Sequence, residues 1–309
     1  MSEPEMKATR QAYGEALTEL ARERDDIIAV TADLAESLRM LDIRDEYPDR
    51  YIDVGVAESN MVGVSAGLSM MGYVPVAATF AVFMTRAYDH IRMQICQNNL
   101  HAVLVGSHGG VSNALDGGSA NALEDIAYMR ALPNMTIVYP SDANEAGQAM
   151  RAAVDAEGPV YLRLYREPTP VFTDPDKPFE IGKAHVVRAG TDVSLVATGP
   201  QVAFSLEAAE ALEADGVSAE VVAVPTIQPL DVETITKSAA KTKRVVTAED
   251  HSVNGGLGSA VAEALAEKQP TSMRRVAVRQ FGESGPYYDL IKKLKIDSTA
   301  IVAAAKELL

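Results

Sequence analysis

Ala102-Val103-Leu104-Val105, Glu124–Ala131, Thr136-Ile137-Val138, a stretch opened by Ser141-Asp142 and running to about Asp155, and Val160–Leu164 follow one another along the chain. They read as strand, helix, strand, helix, strand. The apolar runs are short and rich in β-branched residues, as strands buried on both faces are. Ser141 and Asp142 offer an N-cap, with Glu145 in the first turn of the helix that follows. Working backward, 7–23 reads as an amphipathic helix, with Tyr13, Ala16, Leu17 and Leu20 at helical spacing. Ile27–Val30 and Val74–Ala78 read as strands and 85–98 as a helix. Strands alternating with helices predict parallel sheet covered on both faces.

Between Glu167 and Lys183 the pattern stops. Pro168, Pro170, Asp174, Pro175, Asp176 and Pro178 break any regular element there. The alternation then restarts with Val193–Ala197, a helix over 201–214, Ala219–Val224 and Arg244–Ala248. A helix from about Leu257, Arg275–Val278 and a last helix from about Ser298 complete it. The expected architecture is α/β, two doubly wound domains over 1–170 and 183–309, joined by a linker over 171–182.

A length of 309 residues accommodates two such domains. The formal net charge is −15, which argues against binding nucleic acid or an anionic membrane through basic surface. It leaves room for a small anionic substrate held by a few local cations. Cys96 is the single cysteine, so no intramolecular disulfide forms, and a cytoplasmic location fits. Met1-Ser2-Glu3-Pro4-Glu5 is acidic and polar, unlike a signal peptide, and no apolar run is long enough to span a bilayer.

Generic catalytic motifs are absent: there is no P-loop, complete GxGxxG, HExxH or CxxC. Three stretches carry more information. In Asp53-Val54-Gly55-Val56-Ala57-Glu58-Ser59-Asn60-Met61, Glu58 stands before a small-residue helix with Gly63, Ala66 and Gly67. It reads either as an acid favoured by the helix dipole or as a carboxylate buried against a ligand. In Thr79-Phe80-Ala81-Val82-Phe83-Met84-Thr85-Arg86-Ala87-Tyr88-Asp89, Phe80 and Phe83 read either as core or as an aromatic wall for a flat heterocycle. The third stretch, Gly106 to Asn121, is a polar, glycine-rich loop between a strand and a helix. In a doubly wound sheet such a loop lies at the carboxyl edge, where ligands bind.

In their order these stretches resemble the C-terminal half of transketolase. The likeness takes in Gly55-Val56-Ala57-Glu58, Thr79-Phe80…Phe83, Leu132-Pro133-Asn134-Met135, Tyr139-Pro140-Ser141-Asp142, Gly158-Pro159-Val160 and Arg166. It continues through Thr198-Gly199, Thr226-Ile227-Gln228-Pro229-Leu230-Asp231, Glu249-Asp250-His251…Gly255-Gly256-Leu257-Gly258 and Phe281-Gly282-Glu283-Ser284-Gly285. Arg86-Ala87-Tyr88-Asp89 looks more like the related deoxyxylulose-phosphate synthase.

The resemblance implies a thiamine-diphosphate pyrimidine-binding domain followed by the transketolase C-terminal domain. The family's diphosphate domain holds Mg²⁺ through a GDG…N motif, and no Gly-Asp-Gly occurs here. A split transketolase follows. Its separate N-terminal subunit would supply the Mg²⁺ and diphosphate sites, in an α2β2 heterotetramer. Glu58 would hydrogen-bond the cofactor's pyrimidine ring nitrogen and manage the activating proton. Phe80 and Phe83 would pack on the ring, with the acid Asp33 near the cofactor. Ser37, His108 and Arg166 match positions that bind the sugar phosphate, Asp116 the acid that reads substrate hydroxyls. Arg10 or Lys7 offers a second cation. His251 and Cys96 are read as structural.

One departure stands out. The family places a histidine in a Gly-Pro-Thr-His type segment, where this chain has Gly117-Gly118-Ser119-Ala120-Asn121. That favours a modified ketose, a specialised acceptor or another pathway. Two other readings stay open: the β subunit of a 2-oxoacid dehydrogenase, and a noncatalytic regulatory or scaffolding subunit.

Overall fold

The computed structural model describes residues 5–309, so the first four residues of the acidic start lie outside it. A seven-stranded sheet organises the first half. From one edge to the other its strands are Tyr51–Asp53, Ile27–Thr31, Val74–Phe80, Val103–Ser107, Val160–Arg163, Thr136–Val138 and Thr226–Gln228. The first six run parallel. Strand Ile27–Thr31 has its chain successor Tyr51–Asp53 on one side and Val74–Phe80 on the other. The strand order therefore reverses there, where doubly wound sheets bind ligands.

Helices Thr9–Glu23 and Ala143–Val154 pack on one face of this sheet, with Leu17, Leu20, Ala146 and Met150 buried against Val76, Val105 and Leu162. On the other face Met61, Val62, Ile91 and Ile95 pack against Val30, Ala77 and Leu104. Asp142 caps its helix, with Oδ1 accepting from the Glu145 backbone N–H at 3.0 Å, and Glu145 Oε2 accepts from Ser141 N–H at 2.6 Å. The capping residues are thus those the sequence offered.

The second half builds a five-stranded sheet in the order Ser272–Val278, Arg244–Ser252, Val193–Ala197, Ala219–Ala223, His185–Arg188. The first four strands are parallel and the last is antiparallel. Gln201–Ala214 and Ser298–Lys306 cover one face, Val232–Thr242 and Leu257–Lys268 the other.

Four local expectations change. Lys7 lies outside the first helix, which starts at Thr9; Met6–Lys7 pairs antiparallel with Thr169–Pro170, a short strand inside the proline-rich stretch. Proline lacks an N–H but can sit on an edge strand, so Pro170 does not prevent the pairing. The expected helix 85–98 is broken: a 3₁₀ turn at Thr85–Ala87, an α turn at Tyr88–His90 and a π-helical stretch at Ile91–Cys96. Both sheets end in antiparallel strands that the alternation did not announce. Finally, Thr226–Gln228 leaves the second half to pair with Thr136–Val138, so the first sheet is completed by the far side of the linker.

Candidate active site

The parallel strands of the first sheet deliver their ends to one edge. Asp33 follows Ile27–Thr31, Glu58 follows Tyr51–Asp53, Phe80 ends its strand, His108 follows Val103–Ser107 and Arg166 follows Val160–Arg163. Residues far apart in sequence meet there because each ends a strand of one sheet. Asp33 and His108 hold left-handed backbones, with φ of 61° and 60°. Non-glycine residues in this conformation are uncommon and cluster at functional sites.

Glu58 is the first residue of helix Glu58–Met70, and its side chain is only 6% exposed. Its Oε1 accepts from Arg86 Nη1 at 2.7 Å. Arg86 Cζ lies 4.5 Å from the centre of the Phe83 ring. Phe80 and Phe83 stack at 5.5 Å and 17°. A buried carboxylate and an aromatic face thus already hold one planar nitrogen-rich group, the Arg86 guanidinium. An aminopyrimidine offers a similar flat shape and nitrogen functions, so the residues present fit that part of a thiamine cofactor.

Asp33 is exposed, and Asp53 Oδ1 accepts its backbone N–H at 2.9 Å. His108 is buried, unlike a freely exposed substrate ligand. The Phe80 ring covers it at 3.9 Å and 28°. Its ring nitrogen shares a 3.0 Å hydrogen bond with Ser107 Oγ. Burial, with help from the Arg10 and Arg166 charges, pushes the His108 imidazole down to about 3, so it is neutral near pH 7. Arg10 donates to the Ser37 carbonyl at 2.8 Å, while its Nε is buried without a partner. Burial, then Arg39 and Arg166, lowers the Arg10 pKa. Lys7 instead pairs with Glu15 at 2.6 Å, so of the two cations Arg10 is the one that joins this cluster.

Arg166 reaches Asp116 Oδ2 at 3.1 Å. Ser284 Oγ donates to the Leu115 carbonyl at 2.8 Å, bringing the Phe281–Gly285 segment over the loop. Ala120 and Asn121 are buried, and a Cβ on Gly282 would collide with the Asn121 amide. Ala120, at the position of the family's histidine, is therefore buried, and Asn121 beside it sits beneath the second half. A separate groove of about 340 Å³, lined in part by Phe172, Phe179 and His185, contains none of the predicted residues. Among the described residues, no group of three or more His, Cys, Asp or Glu is placed to hold a metal, and no helix is long and apolar enough to cross a membrane.

The transketolase pyrimidine-binding domain model matches residues 5–171, and the transketolase C-terminal domain model matches 182–301. The chain belongs to the transketolase family. It is 42% identical over 96% of its length to the 6-deoxy-6-sulfo-D-fructose transketolase subunit SqwH of Clostridium sp. strain MSTE9, covering 93% of that protein. A putative transketolase C-terminal section from Methanocaldococcus jannaschii is 37% identical over 97% of this chain and 96% of its own. A solved split-gene transketolase, described as an inactive β4 tetramer, superposes with a TM-score of 0.92 at 44% identity, covering 98% of each chain. The transketolase family and fold that the sequence resembles are therefore the ones this chain has, and the subunit and the C-terminal section it matches are of similar extent.

Sequence reading missed two features of this transketolase edge. Arg86 is the partner of Glu58, 28 residues away in the chain; the spacing from Phe83 to Arg86 on a helical segment signals only their stacking on each other. Arg163 falls inside the strand expected over Val160–Leu164 with no role assigned, although it is fully buried and paired with Asp125 and Asp250. Cys96 is buried, and buried His251 Nε2 accepts from Ala127 N–H at 3.3 Å.

Proposed function

We propose that this transketolase-family chain acts only with a separate N-terminal-type subunit, transferring a two-carbon ketol unit from a ketose phosphate to an aldose. The observation that carries this reading is the Glu58–Arg86–Phe83 arrangement beside the His108, Arg166 and Arg10 cluster, in a chain whose sequence lacks Gly-Asp-Gly. Domains over 1–170 and 183–309, with a linker over 171–182, suit the spans of the two family models.

Thiamine diphosphate, when bound, supplies the electron sink for breaking and making the carbon–carbon bond. Glu58 receives its ring nitrogen and manages the activating proton there. Phe80 and Phe83 bound the ring, and Asp33 lies at the same edge. Arg166 and Arg10, beside Ser37, attract the substrate's anionic end; a guanidinium suits a phosphate because it donates two parallel N–H bonds. Neutral His108 is a hydrogen-bonding group there. Asp116, held by Arg166, accepts from substrate hydroxyls. The Mg²⁺ and diphosphate ligands belong to the partner, the assembly is α2β2, and the compartment is the cytoplasm.

The test mixes the chain with a partner subunit containing GDG…N, thiamine diphosphate and Mg²⁺, and assays ketose phosphates against pyruvate. Ketol transfer by the pair, and by neither chain alone, is expected. A pair that binds no cofactor returns the noncatalytic reading. A second substrate reading rests on the likeness to the sulfofructose transketolase subunit: the anionic end is a sulfonate instead of a phosphate. Assaying 6-deoxy-6-sulfo-D-fructose beside fructose 6-phosphate separates the two.

A further inference from the structure

Beneath the His108 loop lies a buried ion cluster that the proposed chemistry does not use. Arg163 donates from Nε and Nη2 to the two Asp125 oxygens at 2.7 and 3.1 Å, and from Nη1 to Asp250 Oδ1 at 2.9 Å. Tyr161 OH donates to Asp125 at 2.8 Å, and Tyr139 OH lies 3.0 Å from both Asp250 oxygens. Arg163, Asp125 and both tyrosines belong to the first half. Asp250 comes from strand Arg244–Ser252 of the second.

The loop lies directly on this cluster. A Cβ on Gly109 would come 2.8 Å from Arg163 Cζ and Nε, and one on Gly110 would collide with the Asp250 carboxylate. Gly110 also holds a left-handed backbone, with φ of 63°. Gly110 exchanges backbone hydrogen bonds with Ala122 at 2.9 and 3.0 Å, and the Ala122 carbonyl also accepts from Arg163 Nη2 at 2.9 Å. Ser112 Oγ donates to the Gly109 carbonyl at 2.7 Å and accepts from Arg166 N–H at 3.1 Å. His108, Gly109, Gly110 and Arg166 therefore share one hydrogen-bonded frame seated on Arg163 and Asp250.

We infer that Asp250 is a positioning residue through which the second half sets where His108 and Arg166 meet the substrate. An apolar filler of equal volume would pack the site, but a guanidinium with fixed donor directions also orients what lies on it. Only the identity of what His108 and Arg166 grip rests on the ketol-transfer reading. The geometry of the frame does not.

The experiment uses the assembled pair of subunits carrying wild-type chain, Asp250→Asn or Tyr139→Phe. It measures kcat and KM for the ketose phosphate, together with amide hydrogen exchange across the chain. Asp250→Asn keeps the shape and leaves Arg163 paired with Asp125. It is expected to raise KM about tenfold with kcat within about twofold, the pattern of lost substrate positioning. Exchange should accelerate over 108–112 and stay unchanged in helix Glu58–Met70. Tyr139→Phe, which removes one donor to Asp250, should give a smaller change of the same kind, and it decides the matter if Asp250→Asn does not fold. An unchanged KM, or exchange that rises evenly along the chain, overturns the proposal. If the wild-type pair turns over no ketose, the functional reading falls separately, and the exchange pattern alone decides whether Asp250 holds the loop.

Discussion

Two regions a short way apart on one sheet edge are finished to different degrees. Around Arg163 everything is closed: its side chain is 0% exposed, its carboxylate partners 1% or less, and both halves contribute. Around Glu58 the carboxylate is covered, but its partner Arg86 is 54% exposed. Val56 before this helix, and Met70 and Met71 at its end, lie open to solvent. The difference separates what the chain completes alone from what it leaves open. The ion cluster under the loop is closed within one chain, whereas the Glu58 carboxylate borders an open surface with exposed apolar side chains.

The sharpest break in this contrast is Glu58→Gln. An amide hydrogen-bonds Arg86 and the cofactor ring but cannot manage the proton, so assembly should persist while turnover falls about 10²–10⁴-fold. Steady-state rates of the reconstituted pair measure it. Near-normal turnover removes Glu58 from the chemistry. At the closed region the corresponding loss is one of folding. Arg163→Met leaves Asp125 and Asp250 buried without their cation, and denaturant melts should show about 3–5 kcal/mol of lost stability. A loss below about 1 kcal/mol, typical of a surface pair, would mean the cluster is wetter than its geometry implies.

Arg166→Ala removes a cation from the open side of the loop. KM for the ketose phosphate should rise about tenfold or more, the worth of a charged hydrogen bond, with little change in melting temperature. The smallest effect concerns protons. His108 is pushed down to about 3, so below the ordinary histidine value of about 6.5 the unfolded chain takes up a proton that the folded chain refuses. Its contribution to stability is full above that value and is lost as pH falls toward 3. Histidine NMR should show the His108 ring neutral from pH 7.5 to 5, and Phe80→Ala, by uncovering it, should move its titration upward. A ring that titrates near 6.5 in the wild type contradicts the burial.

Legibility in the sequence follows what is local. The cap at Asp142 and helices such as Gln201–Ala214 depend on near neighbours, and the sequence announces them. The positions of Glu58, His108 and Arg166 on one sheet edge follow from strand ends alone. The Arg86–Glu58 pair and the Arg163 cluster join residues dozens of positions apart, so no spacing rule reveals them. The failure of 85–98 to form one regular helix has the same origin. Local propensity favours a helix, but packing against Glu58–Met70 and strand Val103–Ser107 imposes several turn geometries. Asn121 shows the same limit at the site: sequence places it beside Ala120, which stands where the family has an imidazole, but does not show that Gly282 of the other half presses on it.

Strand Thr226–Gln228, lent by the second half, has a practical consequence. A chain ended at about residue 180 would keep every predicted site residue yet expose the whole backbone edge of Thr136–Val138, a template for strand-by-strand aggregation. It would also strip Arg163 of Asp250. The recognisable family module at residues 5–171 is thus a poor boundary for expression or domain exchange, because the strand that covers its sheet edge and the carboxylate that pairs with Arg163 lie beyond it.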